Sequence, residues 1–119
     1  MAKRHARYDC ATGCPVEAAL EIIGAKWKGS ALFHMLDGEQ RFSDLRRRMP
    51  LVTQRILAKA LRELEADGVI VRTVYPTVPP QVGYRLSPSG EDLRPTILQL
   101  AGWGRRRLAA AVPALQAAE

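Results

Sequence analysis

The sequence predicts a mainly helical α+β domain with one β-hairpin, and three observations support this fold class. Apolar residues recur at helical spacing in several segments, each bounded by a capping residue, a proline or a glycine. The period changes after Gly68, where β-branched and aromatic residues form two short runs. The chain has 119 residues, 47% of them hydrophobic, which is enough for one modest core. We therefore expect a single domain.

Two helices are predicted near the start of this domain, after a flexible basic arm at residues 1–13. Pro15 suits the first position of a helix, and apolar residues follow at near-helical spacing until Gly24 ends the run. The second run contains Trp27, which we interpret as a core anchor, and closes at Asp37 and Gly38.

A short third helix and a longer fourth helix follow. Ser43 is a good N-cap for a helix over residues 43–49, and Thr53 can cap a helix that runs to about residue 66. The fourth helix is amphipathic and basic at its start. Its roughly 14 residues span about 21 Å, and such a helix fits the roughly 12 Å wide major groove of DNA. Its predicted apolar face comprises Ile56, Leu57, Ala60, Leu61 and Leu64.

Two strands, at about 69–75 and 82–86, are predicted to form a two-stranded hairpin with a proline-rich tip. Ser87 and Pro88 then begin further helix, which Pro95 should bend or restart. This order of elements is typical of a winged helix-turn-helix, with the fourth helix as recognition helix and the hairpin as wing. The predicted domain covers residues 14–112, and residues 113–119 form a C-terminal tail.

The charge balance favours a polyanionic partner. Eighteen Lys and Arg against twelve Asp and Glu give a formal charge of +6.

No long apolar run or signal peptide is recognisable, so we expect a cytoplasmic protein without membrane contact. No catalytic constellation or phosphate-binding glycine loop occurs at credible spacing, and two cysteines are too few for a cysteine-only zinc site. We expect neither an enzyme nor a bound cofactor or metal.

Several motifs carry a family resemblance over about residues 14–107. They are, in order, CPVEAALEIIGAKWK, RFSDLRRRMP, the run from LRELEADG through the wing VYPTVPP, and the late pair Trp103 and Gly104. On these motifs the chain resembles HxlR-type regulators, relatives of the MarR group. The resemblance implies a bacterial DNA-binding homodimer on an inverted repeat, with its N- and C-terminal helices at the interface. It also implies a frequent response to reactive small molecules.

The resemblance implies that bases are read at the start of the recognition helix, where Thr53, Gln54 and Arg55 stand. The chemistry agrees, because Gln can pair with adenine, Arg with guanine, and Thr with a phosphate or a thymine methyl. The resemblance therefore implies a homodimer that binds double-stranded DNA. A basic winged-helix module that binds RNA or a protein partner is the alternative.

Further DNA contacts are expected around this helix. Arg46, Arg47 and Lys59 are predicted to hold phosphates, with an ordinary solvated charged face as the alternative. Ser43 and Gln81 complete the predicted set. A basic residue is common in the family where Gln81 stands, so the wing contacts of this chain are expected to be weaker.

Cys14 and the C-terminal helix are the remaining predicted functional features. Cys14 matches a cysteine that some relatives use to sense oxidants or electrophiles, and the positive end of the helix that it precedes favours a thiolate. An inert packing cysteine is the alternative, and the role of Cys10 stays open. The predicted dimer interface consists of Leu93, Ile97, Leu100 and Trp103.

Overall fold

The computed structural model describes the backbone of residues 14–118 and the side chains of residues 14–111. The predicted arm at residues 1–13, with Cys10, lies outside the described residues. The elements in chain order are α1 (Pro15–Ile23), α2 (Lys28–Met35), β1 (Gln40–Arg41), α3 (Phe42–Arg48), α4 (Gln54–Ala66), β2 (Ile70–Tyr75), β3 (Gln81–Leu86), α5 (Pro88–Asp92) and α6 (Arg94–Ala118).

The helix ends that depend on local capping are where the sequence predicts them. Helix α1 follows Cys14 as its N-cap and has Pro15 at its first position. Helix α4 begins after Thr53, whose Oγ1 accepts a hydrogen bond from the backbone N–H of Ile56 at 3.1 Å. It is followed by Gly68 in a left-handed conformation with φ +77°, which favours glycine. These caps confirm the predicted starts of α1 and α4.

The predicted start of the third helix is wrong by one residue. Helix α3 begins at Phe42 with Arg41 as its N-cap, so Ser43 lies inside the helix instead of capping it. The reason is Asp44, whose Oδ2 accepts a hydrogen bond from the backbone N–H of Arg41 at 2.9 Å. This hydrogen bond from the Arg41 N–H satisfies one of the backbone donors at the start of the helix.

The sheet has three strands, whereas the sequence predicts two. Strand β3 lies between β1 and β2 in the order β1-β3-β2, and both pairings are antiparallel. The register places Gln40 opposite Tyr84, and Ile70 opposite Leu86. Strand β1 has only two residues, too few for an alternating pattern to reveal it.

The C-terminal region contains two helices. Ser87 caps α5, because its Oγ accepts a hydrogen bond from the N–H of Gly90 at 3.0 Å. Helix α5 ends at Asp92 and α6 begins at Arg94, so Pro95 occupies the first turn of a new helix, as the predicted restart requires. Helix α6 continues to Ala118 and includes most of the segment predicted as a tail.

The core lies between α2, α3, α4, the sheet and the start of α6. One sequence expectation about an apolar face is wrong, because Ile56, expected on the buried face of α4, is 46% exposed. Ile97, predicted at a dimer interface, is 4% exposed in the protomer core and also lines the open groove between α1, α2 and α6. The buried apolar residues are Ala31, Leu32, Met35, Leu45, Met49, Val52, Leu57, Ala60, Leu61, Leu64, Val69, Ile70, Leu86 and Ile97.

Candidate nucleic-acid interface

The start of α4 presents three polar side chains on an exposed turn. Thr53, Gln54 and Arg55 are all exposed, and they occupy the N-cap and the first two positions of the helix. The next turn of the helix is anchored in the core through Leu57 and Leu61. The three side chains that the sequence predicts as base contacts therefore lie at the exposed start of a helix whose body is packed in the core.

An ion pair connects α4 to α2. Lys28 of α2 is only 3% exposed, and its Nζ lies 2.6 Å from a carboxylate oxygen of Glu63 on α4. A buried ammonium group must be paired, since desolvation without a partner is costly. Lys28 belongs to a motif that the family resemblance includes, but sequence reasoning did not predict its contact with Glu63. The Lys28–Glu63 ion pair holds α4, the predicted recognition helix, against α2.

The predicted phosphate contacts differ in their surroundings. Arg47 is exposed and forms an ion pair with Asp44 on α3. Lys59 is also exposed, and its Nζ lies 4.0 Å from Glu63, a weak pairing at such distance. Arg46 is half-buried, and among the described residues its Nε has no hydrogen-bond partner. The exposed Arg47 and Lys59 side chains can reach an external anion.

The wing carries Gln81 beside a cation that sequence reasoning missed. Gln81 is half-buried at the start of β3, and it lines a surface recess of about 270 Å³ together with Arg41, Thr77 and Tyr75. Arg41 is exposed on β1. Its place beside the wing follows from the pairing of β1 with β3, which local sequence patterns did not show. Ser43, the other predicted contact, is exposed on α3.

A hydrogen bond ties the wing to the segment before β1. The hydroxyl of Tyr75 on β2 donates to Oε2 of Glu39 at 2.7 Å. The Glu39 side chain passes over Gly83 of the intervening strand, where an added Cβ would lie 2.6 Å from the Glu39 carboxyl carbon. Glycine at 83 thus makes room for this bond. The bond to Glu39 raises the pKa of Tyr75 above its ordinary value, with smaller contributions from burial and charge.

A second surface, formed by α1 and α6, is apolar. Several large apolar side chains are exposed on these two helices: Val16, Leu20, Leu98, Leu100, Trp103 and Leu108. Between α1, α2 and α6 lies an open groove of about 520 Å³, whose lining includes Leu20, Phe33, Leu100 and Leu108. Of the predicted interface residues, Leu100 and Trp103 are exposed here, and Leu93 is half-buried against the core.

Cys14 lies at the edge of this apolar surface, as the N-cap of α1. It is half-buried. Its backbone carbonyl accepts a hydrogen bond from the N–H of Ala18 at 2.8 Å. The predicted sensing residue therefore stands on a helix of the apolar surface, not on the recognition helix.

No cluster of three or more His, Cys, Asp or Glu side chains within the described part of the chain could hold a metal ion. No helix among the described residues is long and apolar enough to cross a membrane.

Comparisons with known proteins agree with this architecture. The family model for the HxlR-like helix-turn-helix matches residues 22–111. The HTH-type transcriptional regulator YybR of Bacillus subtilis is 49% identical over 104 residues, which cover 87% of this chain and 83% of the relative. Among solved structures, the oxidised form of the redox regulator HypR matches with a TM-score of 0.76 at 52% identity, covering 78% of this chain and 96% of that one.

A more distant solved structure shows the same fold. The reduced form of the transcriptional regulator YodB from Bacillus subtilis matches with a TM-score of 0.68 at 32% identity, and covers 76% of this chain and 89% of that one. The sequence motifs, the winged helix-turn-helix and these similarities agree. The chain belongs to the HxlR-like helix-turn-helix family of transcription regulators.

Proposed function

We propose that this protein regulates transcription as a homodimer that binds an inverted repeat in duplex DNA, and that it acts without catalysis. Its DNA target places it in the cytoplasm. Residues 14–112 form the functional domain in this proposal. Thr53, Gln54 and Arg55 read bases, while Arg46, Arg47, Lys59, Ser43 and Gln81 contact the backbone around them.

The observation that carries the proposal is the exposed first turn of α4 on an anchored helix. Gln54 and Arg55 are the side-chain types that pair in two places with adenine and guanine in the major groove. The body of the same helix is buried through Leu57, Leu61 and Leu64, and Lys28 holds it from behind. A protruding, rigid helix start is what base reading requires, because the groove admits a helix end only in a defined orientation.

The apolar surface of α1 and α6 supports the homodimer. Leu100 is 52% exposed and Trp103 is 60% exposed, beside a groove that the protomer leaves open. Large contiguous apolar surfaces of soluble proteins mark interaction sites. A twofold axis through this surface would place the two recognition helices in half-sites about 34–36 Å apart.

Specific DNA binding is tested with reduced protein and labelled duplexes from upstream of its own and neighbouring genes. Fluorescence anisotropy over a salt series separates specific from electrostatic affinity. We expect one site to be preferred over scrambled duplex by on the order of 10³-fold or more. Arg55→Ala should lower affinity for that site by about 5- to 150-fold, which corresponds to roughly 1–3 kcal/mol for a bidentate base contact.

Arg62→Ala is the matched control, since it removes the same charge from an exposed position further along α4. This variant should bind all duplexes slightly more weakly and keep the preference for the specific site. Equal binding of the wild-type protein to the operator, scrambled DNA and duplex RNA would contradict the proposal.

A response to oxidants or electrophiles through Cys14 is the regulatory part of the proposal. HypR is described as a redox regulator, and its oxidised form resembles this chain. Cys14 occupies the N-cap position of α1, a helix of the proposed interface, so a modified thiol would alter that surface. Alkylation rates over a pH series, with Cys14→Ser and Cys10→Ser variants, test the idea. A Cys14 thiol that reacts no faster than a simple thiol would remove its basis.

A further inference from the structure

The apolar stripe of α4 extends beyond the protomer core. Ile56, Ala60 and Leu64 are successively four residues apart, so they lie along one side of the helix. Leu64 is completely buried and Ala60 is 5% exposed, whereas Ile56 is 46% exposed. The first turn of α4 therefore projects past the residues that cover the rest of this stripe.

The exposed position of Ile56 differs from that of most other exposed apolar side chains in the described part of the chain. Six of these lie on the α1 and α6 surface described above, and three more lie in the wing at Val74, Tyr75 and Val78. Leu51 precedes the N-cap of α4, and Ile56 lies in the same helical turn as Gln54 and Arg55. Ile56 is thus an exposed apolar side chain in the first turn of α4, the turn proposed to read bases, and it is not among the residues that line the groove of the proposed dimer surface.

The backbone presents Ile56 in a defined orientation. Its N–H donates to Oγ1 of Thr53 at 3.1 Å, which fixes the first turn of the helix. A β-branched side chain in a helix has one strongly preferred rotamer, so little side-chain entropy is lost when it makes a contact. At about 100° per residue, Ile56 lies roughly 60° around the helix from Lys59. It therefore borders the exposed polar face.

We propose that Ile56 contacts the C5 methyl group of a thymine in the major groove and so selects a T·A pair at that position. The inference rests on the proposed function and deepens it. Thymine differs from cytosine in the major groove partly through this methyl group, which apolar side chains contact. Burial of one methyl group corresponds to about a fourfold gain in affinity, from roughly 0.8 kcal/mol per buried carbon.

The experiment replaces each operator thymine in turn with deoxyuridine, which keeps the base pair and lacks only the methyl group. For wild-type protein we expect one thymine in each half-site to be sensitive, with a loss of about fourfold for one replacement and about 15-fold for both. Ile56→Ala should bind the thymine and deoxyuridine operators equally. Because each variant is compared with itself on two DNAs, a reduced fraction of folded protein cancels from the ratio.

Thr53→Ser is the matched control. It keeps the capping hydroxyl and removes the neighbouring methyl group that could make the same contact. The proposal predicts that Thr53→Ser retains the deoxyuridine sensitivity. Loss of sensitivity in Thr53→Ser with retention in Ile56→Ala would overturn it and assign the contact to Thr53.

A second result separates this inference from the proposed function. Wild-type protein that prefers the operator over scrambled DNA, yet is indifferent to every thymine replacement, would overturn the role of Ile56 and leave the regulator intact. Failure to prefer any duplex would overturn both.

Discussion

The two apolar surfaces of this protein differ in how they are covered. On α4, Leu57, Leu61 and Leu64 are almost completely buried by the protomer itself. On α6, Leu100 and Trp103 remain more than half exposed. The apolar face of α4 is thus covered within one chain, whereas no part of the protomer that the structure describes covers the apolar surface of α1 and α6.

Because of this difference, the two regions contribute to the free energy of unfolding in different ways. Packing around α4 contributes to the free energy of unfolding at any protein concentration. The apolar surface of α1 and α6 contributes only when another molecule covers it, so its contribution depends on concentration. Substitutions in the two regions should therefore differ in their concentration dependence as well as in size.

The largest effect on folding is expected at Leu57. Leu57→Ala should lower the free energy of unfolding by about 2–5 kcal/mol, because it leaves a cavity in a packed core. Denaturant unfolding with circular dichroism measures this loss. Ile56→Ala, the adjacent and half-exposed control, should cost less than about 1 kcal/mol. Similar losses for the two variants would mean that Ile56 is part of the core.

The next effect concerns the proposed interface. Leu100→Glu should raise the dimer dissociation constant by on the order of 100-fold, because a charge would have to be desolvated in an apolar contact. Sedimentation equilibrium measures this change. Val74→Glu is the matched control, because Val74 has the same exposed fraction, 52%, in the wing. Equal dimerisation of both variants would place the interface elsewhere.

A smaller effect is expected at the N-cap of α4. Thr53→Ala should lower the free energy of unfolding by about 1 kcal/mol, since Oγ1 satisfies the N–H of Ile56. Chemical denaturation can resolve such a difference. Thr53→Ser should behave like the wild type, and an unchanged stability of Thr53→Ala would show that the cap is dispensable.

The features that sequence reasoning predicted correctly depend on neighbouring residues. Thr53 and Ser87 mark helix starts through hydrogen bonds to residues three positions later, and Pro15 marks one through its fixed φ. All three helices begin where these signals stand. Local chemistry is enough to specify such positions. The helix-turn-helix and the hairpin follow from the order of these elements.

The features that it missed depend on distant residues. Strand β1 exists because Gln40 and Arg41 pair with β3, more than 40 residues later in the chain. Periodicity assigned Ile56 to the apolar face, but it does not show where the core that covers this face ends. Periodicity likewise identified Ile97 as apolar, but only the packed structure shows that it belongs to the protomer core.

The hydrogen bond between Tyr75 and Glu39 provides a further test, because it stabilises the wing within a single protomer. Tyr75→Phe removes the hydroxyl that donates to Glu39, and we expect faster amide hydrogen exchange in β2 and β3 with little change elsewhere. Thr73→Ser, a change on the same strand that leaves this bond intact, is the control. Unchanged exchange in Tyr75→Phe would show that strand pairing alone orders the wing.

The smallest expected effect is a pH dependence from His34 on α2. Burial, and secondarily the charge of Arg48, lower the pKa of His34 below its ordinary value of 6.5, with Asp37 opposing them. The unfolded chain therefore binds a proton at His34 more readily than the folded chain does. The contribution of His34 to the free energy of unfolding is fully present above about pH 6.5, and it is lost as the pH falls through the lower pKa of the folded state. Denaturant midpoints from pH 5 to 8 should show this slope, and His34→Gln should flatten it. A slope that persists in His34→Gln would have to come from other groups.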